Sequence, residues 1–207
     1  MEVNLKNKKI LFVLQRDWGI KHGFEIIKKL KKNGALISAV VFKKSTENFV
    51  KFQKDVEFEN ILEESFIEKN SDIIIKKNNY SAEKFLDDFN VKSVWEFIHT
   101  LRGKATSYKE KFPFSYKQNL SDDLLRQYII AFGTSLINLY EKFKPDLVIF
   151  YNYGDVRHHL IAQLSHKNNI PYFYMSDTKV KNIAAFFYDL NRGKSFFHNK
   201  IDDYNDK

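Results

Sequence analysis

Two short runs of consecutive apolar residues constrain the fold of this chain most strongly. Residues 10–14 are Ile-Leu-Phe-Val-Leu and residues 147–151 are Leu-Val-Ile-Phe-Tyr, each without polar alternation. Such runs are typical of strands that helices cover on both faces, whereas a strand with one solvated face alternates apolar and polar residues. The sequence therefore predicts an α/β fold, namely a Rossmann-like three-layer α/β/α domain with a mostly parallel sheet.

The segments around these runs predict alternating helices and strands. A helix over 22–33 is indicated by a stripe of Phe24, Ile27 and Leu30 and by a C-cap at Asn33-Gly34. A strand over 35–42 then completes a βαβ unit. Around the second run we predict helices over 121–143 and 154–169 and a strand over 171–175. The long helix has Ser121 as its N-cap and is expected to bury Leu125, Ile129, Phe132, Leu136 and Leu139.

The remaining segments are less regular. They predict a helix over 46–54, strands over 56–62 and 72–75, and a helix over 81–89. Residues 91–117 interleave basic and aromatic side chains and are expected to form an irregular or helical insert. We expect a single Rossmann-like domain over residues 1–200, followed at 201–207 by a tail or the start of a linker.

Composition narrows the classes of function. The net charge of +8 fits a polyanionic partner, but most lysines are expected on solvated helix faces, and no nucleic-acid-binding motif is present. We therefore expect no nucleic acid partner. The chain contains no Cys, which excludes disulfides and thiolate metal ligands. No apolar run reaches the about 18–20 residues that span a bilayer, and no signal peptide is evident, so a cytoplasmic location is expected.

The predicted sheet places its ligand site where two loops diverge. In an open parallel sheet, ligands bind beyond the carboxyl ends of the strands, at the point where the strand order reverses. If the first strand lies beside the strand over 146–151, as a 3-2-1-4-5 order requires, the crevice is bordered by residues 15–22 and 151–159. Both segments are polar.

The first segment is interpreted as a flexible loop that leads into a helix. Its glycines match neither the dinucleotide-binding fingerprint nor the P-loop, so both readings are rejected. His22 is the candidate general base, because an imidazole exchanges protons near neutral pH. An alternative is that His22 only starts the helix. The candidate substrate-binding residues of this segment are Arg16, Asp17, Trp18 and Gly19.

The second segment is the richest in polar side chains. Its candidate substrate-binding residues are Asn152, Gly154, Asp155, Arg157 and His158. Asp177, at the end of the next predicted strand, is a further candidate. The alternative is that Asp155 only caps a helix and Arg157 is solvated. Because neighbouring helical residues diverge by about 100°, His158 and His159 do not form a metal pair, and no bound metal is expected.

Three stretches carry a family resemblance. Residues 8–14 with the Trp-Gly-x-x-His segment, residues 145–152 with a Gly-Asp-x-Arg continuation, and residues 170–174 resemble the N-terminal half of bacterial capsule and surface polysaccharide biosynthesis proteins. Those proteins are similar to glycosyltransferases of the two-domain Rossmann type called GT-B. The resemblance covers residues 8–42 and 144–193, and nothing between them contributes.

The resemblance implies the acceptor-side half of a sugar transferase. A nucleotide-sugar donor would bind a second, C-terminal domain, with no cofactor in this one, and the chain alone would be inactive. The acceptor would be a sugar or a lipid-linked glycan. The implied roles are a base for His22, phosphate or carboxylate binding for Arg157, and cleft lining for Asn152, Gly154 and Asp177.

Two further partners and one alternative function remain open. Residues 91–117 fit peripheral contact with the inner membrane surface, although core packing explains those aromatics equally well. The abundance of Phe and Tyr favours a homodimer or an interface with a C-terminal domain. The alternative function is a flavodoxin-like binding or regulatory module that recognises a small anion or nucleotide without catalysis.

Overall fold

The fold is built on one six-stranded sheet. The computed structural model describes residues 5–98, 101, 120–151, 156–177 and 184–187. The strands lie in the order β3-β2-β1-β4-β5-β6, and all neighbours are parallel except β5 and β6. This confirms the Rossmann-like α/β class and the placement of β1 beside β4. The strand bounds are β1 Lys9–Gln15, β2 Leu36–Phe42, β3 Ile61–Glu63, β4 Leu147–Tyr151, β5 Tyr172–Asp177 and β6 Ala184–Phe187.

Helices cover both faces of the sheet. Those that the described ranges contain are α1 Arg16–Ile20, α2 His22–Lys32, α3 Lys44–Phe52, α4 Glu64–Lys69, α5 Ser71–Lys77, α6 Ala82–Phe89, α7 Trp95–Ile98, α8 Asp122–Phe143 and α9 Val156–Lys167. The first three pack on one face, and the helices from α4 onward pack on the other. Within these ranges, no helix combines the length and the apolar character that crossing a bilayer requires.

The central strand explains why the first apolar run does not alternate. Ile10, Phe12 and Leu14 of β1 enter the core beneath α1–α3. Leu11 and Val13 enter the core beneath the helices of the opposite face. Because both faces of β1 are buried, every position from 10 to 14 has to be apolar.

Helix α8 matches its prediction closely. The Ser121 hydroxyl accepts a hydrogen bond from the backbone N–H of Leu124 at 3.3 Å, as an N-cap does. The helix ends at Phe143, and its C-cap Lys144 adopts the left-handed conformation with φ 52°, immediately before Pro145. The predicted stripe is buried at Leu125, Ile129, Phe132, Leu136 and Leu139.

Two predictions in the middle of the chain require correction. Residues 72–75 form part of helix α5 and not a strand, because Ile74 and Ile75 pack against the core that α8 builds. The strand predicted over 56–62 is confined to β3 at Ile61–Glu63, which pairs with β2 from Ala39 to Val41. Of the insert predicted at 91–117, residues 99–100 and 102–117 lie outside the described residues.

Candidate functional site

An aromatic pair lies at the carboxyl ends of β1 and β4, where the sequence predicts the crevice. The chain leaves β1 directly into α1, where the sequence predicts a loop. The Trp18 indole stacks on Tyr151 at the end of β4, with ring centroids 5.4 Å apart and planes inclined by 20°. Its Nε1–H donates to the carbonyl of Val13 at 3.1 Å. These two contacts hold the indole against the ends of the strands, so the segment is a short helix packed on the sheet.

Two glycines allow this close packing. A Cβ at Gly19 would lie 2.7 Å from Cγ2 of Thr46, and a Cβ at Gly23 would lie 2.7 Å from the Trp18 indole. Real Cβ contacts are longer, so larger residues would displace α1 or the indole. Trp18 and Gly19, which the sequence predicts to bind substrate, are both buried. Their packing accounts for the residue types found at these positions.

Polar groups at the start of the crevice remain exposed. Arg16, Asp17 and His22 are accessible to solvent. Arg16 adopts the left-handed conformation with φ 51°, which turns the chain sharply out of β1. Lys21 Nζ lies 3.0 Å from Asp17 Oδ2. His22 is the first residue of α2, so a short segment presents an imidazole and charged groups of both signs at the rim.

The second predicted segment is only partly described. Asn152, Gly154 and Asp155 lie outside the described residues. Asp177 is the last residue of β5, where its backbone pairs with Ala184. The predicted roles of these four residues stay predictions.

Arg157 is buried and its guanidinium is bound within the chain. Its Nη1–H donates to Glu64 Oε1 at 2.5 Å, and the same carboxylate oxygen accepts the Tyr128 hydroxyl at 2.9 Å. The guanidinium carbon lies 4.3 Å from the centroid of the Phe42 ring. The carboxylate that Arg157 binds thus belongs to α4, and its predicted role in binding a ligand stays a prediction.

Sequence reasoning did not find Glu64. It follows Glu63 in a charged segment, which is typical of a solvated helix start, and its partner Arg157 lies 93 residues away. The signal that exists is indirect: an apolar strand ends at Glu63, which places Glu64 at the carboxyl edge of the sheet. At this edge the Glu64–Arg157 pair joins the elements that follow β3 and β4.

The two adjacent histidines of α9 face different surroundings. His158 is buried, with its ring centroid 5.6 Å from those of Phe42 and Phe150. His159 is half-buried, with its ring 5.7 Å from Phe97. Burial lowers the pKa of His159 from its ordinary value, and the charge of Glu96 opposes part of that shift. His158 is therefore a core residue, whereas His159 can respond to pH.

A second buried carboxylate holds the first turn of α4 against α3. Glu47 accepts hydrogen bonds from the backbone N–H of Ser65 at 2.9 Å and from its hydroxyl at 2.5 Å. Lys44 Nζ lies 3.4 Å from the same carboxylate. Next to it, Thr46 Oγ1 is buried and has no hydrogen-bond partner among the described residues. Internal hydrogen bonds thus fix this part of the edge, with one hydroxyl left unsatisfied.

Two tyrosines with perturbed acidity lie elsewhere. Burial raises the pKa of Tyr140, whose hydroxyl lies 2.8 Å from Ser165 Oγ near the C-terminus of α8. Burial and the carboxylate of Asp88 raise the pKa of Tyr80, whose hydroxyl donates to Asp88 Oδ2 at 2.8 Å. Both hydroxyls stay protonated and stabilise helix packing, so neither adds an acid or base to the crevice.

Comparison with known proteins identifies no family. No protein-family model matches the chain. No curated protein is found to be similar to it. Within the described ranges, no three His, Asp or Glu side chains converge as metal ligands would. A proposal about function therefore has to be argued from the residues around the carboxyl ends of β1 and β4 and from the sequence resemblance.

Proposed function

We propose that this chain is the acceptor-side domain of a glycosyltransferase that builds a bacterial surface polysaccharide, with His22 as the general base. The observation that carries the proposal is the position of His22. It is exposed at the start of the eleven-residue helix α2, directly after α1, where the chain leaves β1 at the switch point of a doubly wound sheet. Ligands of such sheets bind at this point.

The proposed chemistry requires one proton acceptor in this domain. The acceptor hydroxyl oxygen forms a bond to the anomeric carbon of the sugar donor. The bond from that carbon to the nucleoside diphosphate breaks, and its electron pair leaves with the diphosphate. The hydroxyl proton moves to a ring nitrogen of His22. A positioned base of this kind contributes about 100-fold or more to the rate.

The remaining features of the crevice suit a sugar. The exposed Arg16 guanidinium can donate to hydroxyl or anionic oxygens, and the Asp17 carboxylate can accept from hydroxyls. The stacked Trp18 and Tyr151 rings form a rigid base beneath them. A nucleoside diphosphate would need a phosphate cradle, and the sequence of this segment lacks the glycine patterns that build one.

The test is replacement of His22 by Ala in the native gene. We expect the rate at which the surface polysaccharide is made to fall by about 100-fold, measured as labelled sugar incorporated per cell. The matched control is His166→Ala, because His166 is an exposed histidine near the C-terminus of α9. Normal incorporation by the His22→Ala strain would remove His22 from the mechanism.

A binding experiment distinguishes the proposed transferase domain from the alternative, a binding module without catalysis. The isolated chain is titrated with glycan fragments of the polysaccharide and, separately, with nucleoside diphosphates, while backbone amide signals are followed by NMR. The proposal expects glycans to shift the signals of residues 16–22. Shifts caused by nucleotides alone, together with normal polysaccharide in the His22→Ala strain, would favour a binding module without catalysis.

A further inference from the structure

A cleft lies on the sheet face opposite α1–α3 and away from the crevice. It has a volume of about 650 Å³ and opens between the turn joining α4 to α5 and the first turns of α8. Ligand pockets in proteins have volumes of about 300–1,000 Å³. The lining residues are Glu68, Lys69, Ser71, Asp72, Leu120, Leu124, Leu125, Gln127 and Tyr128.

One wall of the cleft is apolar and open to solvent. Leu124 is 52% exposed and Leu120 is 37% exposed, although both border a cavity. Leu125 and Tyr128 continue this wall inward and are themselves buried. Covering exposed leucine surface is favourable at about 25 cal/mol per Å². The wall therefore suits a flexible apolar chain.

The opposite wall is polar and carries no excess of positive charge. Glu68 and Asp72 are acidic, Lys69 is basic and Ser71 is neutral, and Gln127 adds a neutral amide from α8, one turn after Leu124. Asp122 and Asp123 lie in the adjacent first turn of α8. This balance disfavours phosphate or carboxylate groups, whereas carboxylate, amide and hydroxyl side chains match the hydroxyls of a neutral sugar.

The base of the cleft is linked to the crevice side of the fold. The Tyr128 hydroxyl donates to Glu64 Oε1 at 2.9 Å, and Glu64 holds Arg157 in the first turn of α9. Helix α9 follows β4, which borders the crevice. Two hydrogen bonds thus connect α8, which lines the cleft, with the first turn of α9, the helix that follows β4.

We propose that this cleft binds a neutral sugar that carries an apolar chain, with the chain on Leu120 and Leu124 and the sugar on Asp72 and Gln127. The inference rests on the proposed function in that it names the class of acceptor, a glycolipid, and gives it a second contact. The cleft holds the apolar chain and the first sugar, and a longer glycan extends from it toward the carboxyl edge.

The probes are hexyl β-glucoside, glucose and 1-hexanol, each titrated into the full chain while amide signals are followed by NMR. We expect hexyl glucoside to saturate, to shift the signals of residues 71–72 and 120–128, and to bind at least about tenfold more tightly than glucose or hexanol. The Leu124→Gln variant should weaken binding by roughly tenfold. Phe52→Gln removes a side chain that is 78% exposed on α3 and should leave binding unchanged.

Three outcomes would overturn the inference. Hexanol that binds as tightly as hexyl glucoside would make the cleft a plain apolar surface. Unchanged binding by Leu124→Gln, with circular dichroism showing a folded variant, would move the ligand elsewhere. Shifts confined to residues 16–22 would place the glucoside in the crevice, leaving the proposed function intact. Failure of the proposed function would appear separately, as normal polysaccharide in the His22→Ala strain.

Discussion

Thr46 is a buried residue with an unsatisfied group. Its hydroxyl has no hydrogen-bond partner among the described residues, and such a group destabilises a fold by about 1–3 kcal/mol. Valine has nearly the same shape without the hydroxyl. We expect Thr46→Val to raise the free energy of unfolding by about 1 kcal/mol, measured by urea denaturation.

A second buried threonine provides the control. Thr134 lies in α8 and its hydroxyl donates to the carbonyl of Ile130 at 2.7 Å. The same substitution there removes a satisfied donor, so Thr134→Val should leave stability unchanged or lower it. A Thr46→Val variant less stable than the original chain would mean that the Thr46 hydroxyl is bonded.

His159 makes stability depend on pH. Its pKa is lowered from 6.5 mainly by burial against its neighbours. In the unfolded chain the imidazole takes up a proton at a higher pH than in the fold, so protonation favours unfolding. The contribution of His159 is therefore complete above pH 6.5 and is lost as the pH falls from that value to the lower pKa of the folded state.

Removing the imidazole tests this dependence. Urea denaturation from about pH 8 to about pH 5 should show a smaller loss of stability for His159→Gln than for the original chain. The exposed His166 supplies the matched variant, His166→Gln, which should keep the original slope. An identical slope in both variants would contradict the direction of the pKa shift.

Among the elements, an ion pair joins α4 and α9. Glu64 and Arg157 bind across the end of β2, where the guanidinium lies over Phe42. Removing one partner of a buried ion pair is strongly destabilising, by about 3–5 kcal/mol. We expect Glu64→Gln and Arg157→Leu each to destabilise by this amount, and the double variant to cost clearly less than the sum, measured by chemical denaturation.

An exposed ion pair serves as the control for the buried Glu64–Arg157 pair. Lys21 and Asp17 lie one turn apart, with their side chains largely in solvent. Breaking such a pair changes stability by about 0–1 kcal/mol. Additive effects of the Glu64 and Arg157 substitutions would show that the two groups do not depend on each other.

Elements with strong periodicity could be predicted from the sequence, and one without it could not. The stripe at Leu125, Ile129 and Phe132 repeats at helical spacing, so α8 was predictable together with its cap. Ile73, Ile74 and Ile75 are consecutive β-branched residues, which favours a strand locally. Packing of Ile74 and Ile75 against the α8 side outweighs that preference, and a local pattern does not contain this information.

The location of the candidate site could be predicted from the sequence, whereas its side-chain contacts could not. The position of the crevice followed from strand order, because the apolar runs identified β1 and β4. The contacts of Trp18 with Tyr151 and of Glu64 with Arg157 join residues more than 90 positions apart. No spacing rule links such pairs, so their burial became evident only in the folded chain.

For the whole molecule, the two cores meet at the central strands. β1 lies between β2 and β4, and its side chains are buried on both faces. The edge strand β3 has three residues, of which Ile61 is exposed. We expect amides of residues 11–13 to exchange with deuterium at the slowest rate, set by global unfolding, and those of 61–63 to exchange faster. Equal protection measured by mass spectrometry would contradict this gradient.

The position of β1 also determines when the chain can fold during synthesis. Ile10 pairs with Leu147, a partner that leaves the ribosome far later than β2. Until then, one edge of a strand whose residues 10–14 are all apolar has no neighbour, and its backbone groups can pair with other chains. The nascent protein therefore spends most of its translation with an apolar strand half-paired, and slowing translation before residue 147 should increase its demand for chaperones.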